Sequence, residues 1–355
     1  MRLTKPGLLM GSKTMRAMVV FEFGREPELS VVPQPTPSGD EILLRVKVAG
    51  VCHTDMKIRD GLVPDVPLPL TLGHEIAGEV EAVGPDVTGI QVGERGVPYG
   101  YVICGRCRFC MSGRTSLCEK LSLRYGFGPV GGYSEYVLVP ERAFVRIPEG
   151  VSLDEAAVAT CSLVTPYHAL LKRARLSLGE TVVVVGAGGG VGLHAVQLAH
   201  RMGGRVIAVD VDPRREEYVM AQGASVFLVP DDDGFAPAIR HETGGGGADV
   251  VIDIVASAST MTDSVASLES GGRLVLVGYR PAEPFTASTP DIVFREIEIY
   301  GSHWATMTDT VEILDLIDQR IISPIIVREL SLEEAPQALE LLASGEAPGR
   351  SVLAI

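Results

Sequence analysis

Residues 182–192 read VVVVGAGGGVG, and the reading of that run decides the fold. Its extension, VVVVGAGGGVGLHAVQLA, is apolar enough to raise the question of a membrane span. The glycine cluster breaks it, and no stretch of the chain reaches spanning length without interruption. A strand, a tight turn and a helix account for the pattern better. Glycines let the turn close and let a pyrophosphate approach the backbone, and the helix that follows offers its unpaired N–H groups. The spacing departs from strict G-x-G-x-x-G. Gly186, Gly189 and Gly192 give G-x-x-G-x-x-G, with Gly188 and Gly190 as extras. The strand–turn–helix context therefore weighs more than the motif text. A plain glycine-rich turn is the alternative.

The next strand, RVIAVDVD, carries Asp210 at its end, eighteen positions past Gly192. A carboxylate there accepts hydrogen bonds from ribose hydroxyls and repels a 2′-phosphate, which favours NAD over NADP. Arg214 and Arg215 complicate this, because arginines after this strand also hold a 2′-phosphate. Asp212, just before Pro213, reads as a helix cap.

Around this core the rhythm is that of a doubly wound parallel sheet, with ADVVIDIVA, GGRLVLVG and IEIYGS as further strands. Residues 15–150 differ. MRAMVVF, EILLRVKVAGV, GHEIAGEVEAVG, YSEYVLVP and AFVRIP are short strand signals separated by Pro and Gly, which reads as a small mostly-β domain. LDEAAVATCSLVTPYHALLKRARL reads as helical with a break at Pro166. After Gly301 come two helical stretches and a last strand, SVLAI. With 355 residues and 46% apolar composition, two domains are the natural expectation.

The formal charge is −14 and no basic run is long enough to track a phosphate backbone, which argues against a nucleic-acid partner. The N-terminus has no signal-peptide pattern, so a cytoplasmic location without membrane attachment is expected. Residues 1–14 read as a loose extension. The six cysteines are then reduced thiols, and close spacing among them favours metal over disulfides.

Four of them lie in CGRCRFCMSGRTSLC, residues 104–118. Cys104, Cys107, Cys110 and Cys118 form C-x2-C-x2-C-x7-C. Four soft ligands favour a closed tetrahedral zinc site of structural role. An iron–sulfur cluster of the bacterial ferredoxin type would place its fourth cysteine three residues on and before a proline; here Glu119 follows Cys118. Free thiols are the third possibility.

A second candidate site is dispersed: Cys52 and Asp55 in GVCHTD, His74 and Glu75 in LGHEIAGEV, and Cys161 in ATCSLVTPYHAL. Cys, His and Cys can hold zinc with one position open. Asp55 suits either a carboxylate behind His74 or a loop cap. Glu75 suits either a fourth ligand or a buried partner for a cation. Each residue alone is more ordinarily a core thiol or a hydrogen-bonded histidine.

Taken together, GVCHTD, LGHEIAGEVEAVG, the four-cysteine lobe, TPYHAL, the glycine turn and the terminal GR closely resemble the zinc-dependent alcohol dehydrogenases of the medium-chain dehydrogenase/reductase superfamily, over roughly residues 15–355. The resemblance implies an α/β architecture: a GroES-like, mostly-β catalytic domain over 1–155, a Rossmann domain over 156–300, and a return to the catalytic domain over 301–355. It implies reversible hydride transfer between a primary or secondary alcohol and NAD. It places a catalytic zinc on Cys52, His74 and Cys161 with Glu75 nearby, and a structural zinc on Cys104, Cys107, Cys110 and Cys118, hence two zinc ions per chain. Thr54 matches the hydroxyl that passes on the alcohol proton, and Asp55 the carboxylate behind the zinc histidine. Thr165 flanks the nicotinamide, and Arg350 matches an arginine on the cofactor phosphates. Gly186, Gly188, Gly189, Gly190, Val191, Gly192, Asp210, Arg215 and Val277 complete the expected cofactor contacts. A homodimer or homotetramer is implied, with EIEIYGSH as the candidate joining strand.

One departure concerns the proton path. Lys57 stands where many members have a histidine, which leaves His53 with the cofactor ribose, or water, to complete it. The expected substrate is an apolar or aromatic alcohol, aldehyde or ketone rather than a highly charged sugar acid. Tyr99, Tyr101 and Trp304 are candidate pocket walls, with ordinary packing as the more usual role of each. A polyol or sugar dehydrogenase is the alternative, and a quinone or enoyl reductase a more distant one.

Overall fold

The computed structural model describes residues 13–281, 283–346 and 348–355. The expected N-terminal extension therefore lies outside the described residues up to position 12, and Thr14 already opens the strand Thr14–Val20. The chain divides into two compact units, one running up to Cys161 together with Thr306–Ile355, the other spanning Ser162–Ala305. The divisions fall a few residues beyond the expected 155 and 300. At the first, the helix Leu153–Val158 packs against the strands Glu41–Val51 and Glu75–Val83, which holds it to the first unit. At the second, Thr306 and Asp309 cap the helix Met307–Asp318 reciprocally, and Met307 N–H donates to Thr115 Oγ1 at 3.3 Å.

The second unit is a six-stranded parallel sheet. From edge to edge its strands are Val226–Leu228, Arg205–Val209, Thr181–Val185, Ala248–Asp253, Leu268–Leu276 and Glu298–Gly301. The four valines of Thr181–Val185 are all buried, as a central strand covered on both faces requires. Each such side chain contributes roughly 1.5–3 kcal/mol by leaving water. Strand order reverses between Thr181–Val185 and Ala248–Asp253, and a crevice opens beyond the carboxyl ends of such strands. The helical stretch behaves differently from the expected break. Pro166 sits inside the short helix Val164–Tyr167, flanked by wider π-type turns at Ala159–Leu163 and His168–Ala174. A proline lacks the N–H for the regular ladder, and the winding loosens around it rather than stopping. The run ends at Arg175, whose φ of 55° is a left-handed stop.

The first unit is built on a seven-stranded sheet. At its centre Glu41–Val51 pairs antiparallel with Glu75–Val83 on one side and with the terminal strand Arg350–Ala354 on the other. The register sets Gly50 opposite both Glu75 and Val352, and Val51 opposite Ser351. Cys52, Glu75 and Arg350 are thereby brought to one end of the sheet, although they come from distant parts of the chain. The four-cysteine lobe is closed at its base by a short ladder, Tyr101 opposite Arg124 and Val102 opposite Leu123. Among the described residues no helix is long and apolar enough to cross a membrane.

Candidate metal centre and nucleotide site

Cys52 follows the strand Glu41–Val51 and caps the helix His53–Arg59. Its N–H donates to Asp55 Oδ2 at 2.9 Å. Asp55 is fully buried in the first turn of that helix, and its Oδ1 lies 3.0 Å from His74 Nδ1. With Nδ1 held by the carboxylate, Nε2 is the ring nitrogen left for a metal. Tyr133 Oη donates to Asp55 Oδ2 at 3.1 Å, a contact that nothing in the sequence signalled. It depends on Gly73, at φ 92°, where a Cβ would stand 2.5 Å from the Tyr133 ring. Thr54 is half-buried on the same helix and His53 is exposed.

Glu75 is buried opposite Gly50, where a Cβ would approach its Oε2 to 2.1 Å. One ligand atom from each of Cys52, His74, Glu75 and Cys161 falls within 4.8 Å of the others, and all four residues are buried. Arg350 enters the same cluster. Its Nη2 lies 2.6 Å from Glu75 Oε1, 3.3 Å from Cys52 Sγ and 3.8 Å from Cys161 Sγ. The resemblance implies a role for Arg350 on the cofactor phosphates; in this structure its guanidinium is the buried cation that pairs with Glu75, one of the two roles open to that carboxylate, and only 2% of the residue is exposed. The terminal strand's register causes this, since it places residue 350 next to Cys52.

The electrostatics of this pocket are tightly opposed. Burial pushes the Glu75 carboxyl up to about 7, against the pull of Arg350. A hydrogen bond from the Cys161 thiol, with Arg350 and His74 close by, holds Cys52 well below the ordinary thiol range. The same hydrogen bond and burial push Cys161 up. Burial works against a charged His74, but Asp55 and the Cys52 sulfur outweigh it and raise the imidazole. A low-lying thiol, an oriented imidazole and a second buried thiol make a soft donor set suited to zinc.

The lobe brings Cys104, Cys107, Cys110 and Cys118 together, again with all four ligand atoms within 4.8 Å. Cys107 Sγ is 3.5 Å from Cys110 Sγ, and Cys104 N–H donates to Cys118 Sγ at 3.3 Å. Four sulfurs without oxygen or nitrogen ligands match a closed site.

In the second unit, Gly186 turns at φ 81° after Val185, Gly189 caps the helix Gly190–Arg201, and Val191 lies in its first turn. Gly192 must be glycine, because a Cβ would stand 2.1 Å from Gly186 O. Asp210 follows Val209 and ties the turn down: Gly188 N–H donates to its Oδ2 at 2.7 Å and Asp212 N–H to its Oδ1 at 3.1 Å. Arg215 is buried with its stem over Gly188, where a Cβ would meet Arg215 Cγ at 2.5 Å. Asp212 accepts from Arg214 N–H at 3.0 Å, the cap read from the sequence, and Arg214 holds its carboxyl down to about 2. Val277 N–H donates to Asp253 O at 2.9 Å where its strand ends. A crevice lined by Gly186, Asp210, Pro230, Phe235, Val255 and Thr260 opens at these strand ends. Sequence reasoning missed the last four, because no local pattern marks them. Thr165 Oγ1 is buried in this unit with no hydrogen-bond partner among the described residues.

For the two tyrosines the structure shows packing, the other role the sequence allowed them. Tyr99 and Tyr101 are buried core residues packed edge to face, and Tyr99 Oη shares a hydrogen bond with Thr115 Oγ1 at 2.9 Å. Trp304 is half-buried in the second unit at φ 49°. The strand Glu298–Gly301, from the candidate joining segment, is at the edge of its sheet.

Two family models match: an alcohol dehydrogenase GroES-like domain over residues 38–149 and a zinc-binding dehydrogenase domain over 190–319. An NAD-dependent alcohol dehydrogenase of Sulfurisphaera tokodaii is 36% identical over 351 residues, covering 96% of this chain and 99% of that protein. An alcohol dehydrogenase of Geobacillus stearothermophilus is 37% identical over 343 residues, covering 96% and 100%. The cobalt- and zinc-bound thermostable alcohol dehydrogenase of Pyrobaculum aerophilum matches with a TM-score of 0.87 at 32% identity, over 97% of this chain and 100% of that one.

Proposed function

The chain belongs to the zinc-dependent alcohol dehydrogenase family of the medium-chain dehydrogenase/reductase superfamily, and from that premise we propose that Cys52, His74 and Cys161 are the residues at which it works. It is a zinc-dependent, NAD-linked oxidoreductase that interconverts alcohols with aldehydes or ketones. The observation that carries the site assignment is the buried convergence of Cys52, His74, Glu75 and Cys161, with Asp55 behind the imidazole.

Cys52 Sγ, His74 Nε2 and Cys161 Sγ would hold the catalytic zinc. A zinc ion on such ligands acts as a Lewis acid that lowers the pKa of an alcohol oxygen. Asp55 keeps the His74 tautomer fixed and its ring oriented. Glu75, paired with Arg350, serves as an alternating neighbour of the site that neutralises the buried guanidinium. Thr54 Oγ1 takes the alcohol proton and passes it toward solvent through exposed His53, since Lys57 replaces the usual histidine of the path.

The second unit provides the nucleotide side. The helix Gly190–Arg201 that leaves the glycine turn, with Val191 in its first turn, receives the pyrophosphate on its N-terminal backbone N–H groups. Asp210 borders the crevice and selects the unphosphorylated ribose, with Arg215 beside it, and Val277 follows the end of the strand Leu268–Leu276 as a further cofactor contact. The buried, unpartnered hydroxyl of Thr165 is a site for a polar group of the nicotinamide end. NAD, when bound, accepts the hydride. The four lobe cysteines would hold a second, structural zinc. The sheet edge at Glu298–Gly301 would join copies into a homodimer or homotetramer.

Replacing Cys52 tests the assignment. Cys52→Ser is expected to abolish alcohol oxidation while NADH still binds. A folded, zinc-loaded C52S protein turning over at the wild-type rate would show that the site lies elsewhere.

A further inference from the structure

A loop next to the metal cluster carries a cation whose role the fold leaves open. Arg124 and Phe127 stand at either end of a tight turn closed by Phe127 N–H donating to Arg124 O at 3.2 Å. The turn presses onto the backbone that delivers His74. A Cβ on Gly126 would meet Gly73 O at 2.9 Å and His74 N at 3.1 Å, and its φ of 77° disfavours a side chain besides. Thr71 N–H donates to Gly128 O at 2.9 Å, and Gly132 N–H to Gly73 O at 2.7 Å. The loop is therefore in fixed register with the metal ligand.

Its side chains form a series leading away from that ligand. The Phe127 ring lies 6.0 Å from the His74 ring, tilted by 53°. The Arg124 guanidinium lies 4.9 Å from the centre of the same Phe127 ring. Arg124 is half-buried, and among the described residues no carboxylate or carbonyl oxygen accepts from its guanidinium. The other half-buried or buried arginines among the described residues each have one, as Arg59 has on Glu26 and Asp60, Arg240 on the Ala266 carbonyl and Arg350 on Glu75. The neighbourhood is basic as well. Residues 104–124 carry Arg106, Arg108, Arg114, Lys120 and Arg124 against a single acid, Glu119, in a chain of net charge −14. A half-buried guanidinium with unpaired donors and basic sequence neighbours is a receptor for an oxyanion.

Resting on the proposed dehydrogenase site, we infer that Arg124 is a specificity residue for substrates that carry an anionic oxygen group remote from the reacting carbon. The carbon chain runs along the Phe127 ring, and the far carboxylate or phosphate pairs with Arg124. This departs from the sequence expectation of a wholly apolar or aromatic alcohol: the apolar part is retained and an anionic end is added.

The test compares substrates and variants on the zinc- and NAD-loaded enzyme. Straight-chain ω-hydroxy acids of increasing length are set against their methyl esters, and hydroxyalkyl phosphates of the same lengths form a second arm. The wild type is expected to prefer the acid, or the phosphate, over the ester at one chain length, and the arm with the larger preference identifies the anion. In Arg124→Gln the ratio of kcat/KM for anion over ester is expected to fall about ten-fold or more, the scale of a charge-assisted hydrogen bond, with Arg124→Lys in between. A calorimetric titration with pimelate supplies a readout independent of turnover, with weaker binding expected in Arg124→Gln. An unchanged ratio in Arg124→Gln, with the ester still oxidised by the wild type, overturns this inference and leaves the dehydrogenase reading standing. Absence of turnover on every substrate overturns that reading instead, and equal pimelate binding by wild type and Arg124→Gln then overturns the inference too.

Discussion

Asp55 Oδ1 lies 3.0 Å from His74 Nδ1, while the other oxygen of the same carboxylate accepts from Cys52 N–H and Tyr133 Oη. One buried acid therefore orients the imidazole and holds the backbone that carries the neighbouring thiol. Both ligands should loosen together when its charge is removed.

Asp55→Asn keeps the size and removes the charge. Its zinc affinity or kcat/KM is expected to fall by about 10- to 100-fold, the usual effect of losing a carboxylate behind a ligating histidine. Competition with a chromophoric chelator measures the first and steady-state kinetics the second. Wild-type values for both would mean that Asp55 is only a cap for its helix.

The Arg350–Glu75 pair predicts an asymmetry. Arg350→Met leaves a buried carboxylate uncompensated and is expected to cost about 3–5 kcal/mol in urea unfolding of the metal-free protein. Adding Glu75→Gln removes the orphaned charge and should recover part of that loss. If the double variant were less stable than the sum of the singles, the two side chains would be held by something other than each other.

Zinc uptake by the lobe should depend on pH with a definite sign. Backbone N–H groups, that of Cys110 first, lower Cys107 to about 6, whereas burial and the neighbouring thiol push Cys110 up to about 12. At neutral pH Cys107 is thus mostly thiolate and Cys110 is thiol, so binding must release at least one proton. Apparent affinity is expected to rise about ten-fold per pH unit between 6 and 8 for each proton released. Titrations at three pH values in a zinc-buffered series check this, and a flat dependence would contradict the four-thiolate site. Elemental analysis of the fully loaded protein should find two zinc ions per chain.

The proposed role of Asp210 in cofactor choice is open to test. Asp210→Asn keeps an acceptor for the Gly188 N–H and removes the charge that repels a 2′-phosphate. The NADP-to-NAD ratio of kcat/KM is expected to rise about ten-fold or more, equivalent to ~1.4 kcal/mol. Fluorescence titration with NADH and NADPH gives the same comparison without turnover. No change in either ratio would transfer the discrimination to Arg214 and Arg215.

Much of this was legible because it is local. Four valines followed by spaced glycines can do little other than end a buried strand and start a helix, and four cysteines within fifteen residues can reach one ion without help from the rest of the chain. Cys52, His74 and Cys161 are far apart, and only the ordered motifs of a family resemblance linked them. Arg350 and Tyr133 were out of reach for a physical reason. Their partners are chosen by strand register and by a glycine's open φ, neither of which local periodicity encodes. Tyr99 and Tyr101 show the converse, since an aromatic ring in a core and one in a pocket look alike in sequence.

The register that seats Arg350 beside Glu75 joins residues 275 positions apart, with all of Ser162–Ala305 lying between them in the chain. During translation the first strands, the thiol and the imidazole are made long before their cation exists. A nascent chain that folds these strands early would bury the Glu75 carboxyl beside two thiols with no guanidinium to offset it while an entire nucleotide-binding unit is synthesised. Early zinc capture would relieve that interval, and a ribosome-stalled chain ending before the last strand should depend on the metal more strongly than the finished protein does.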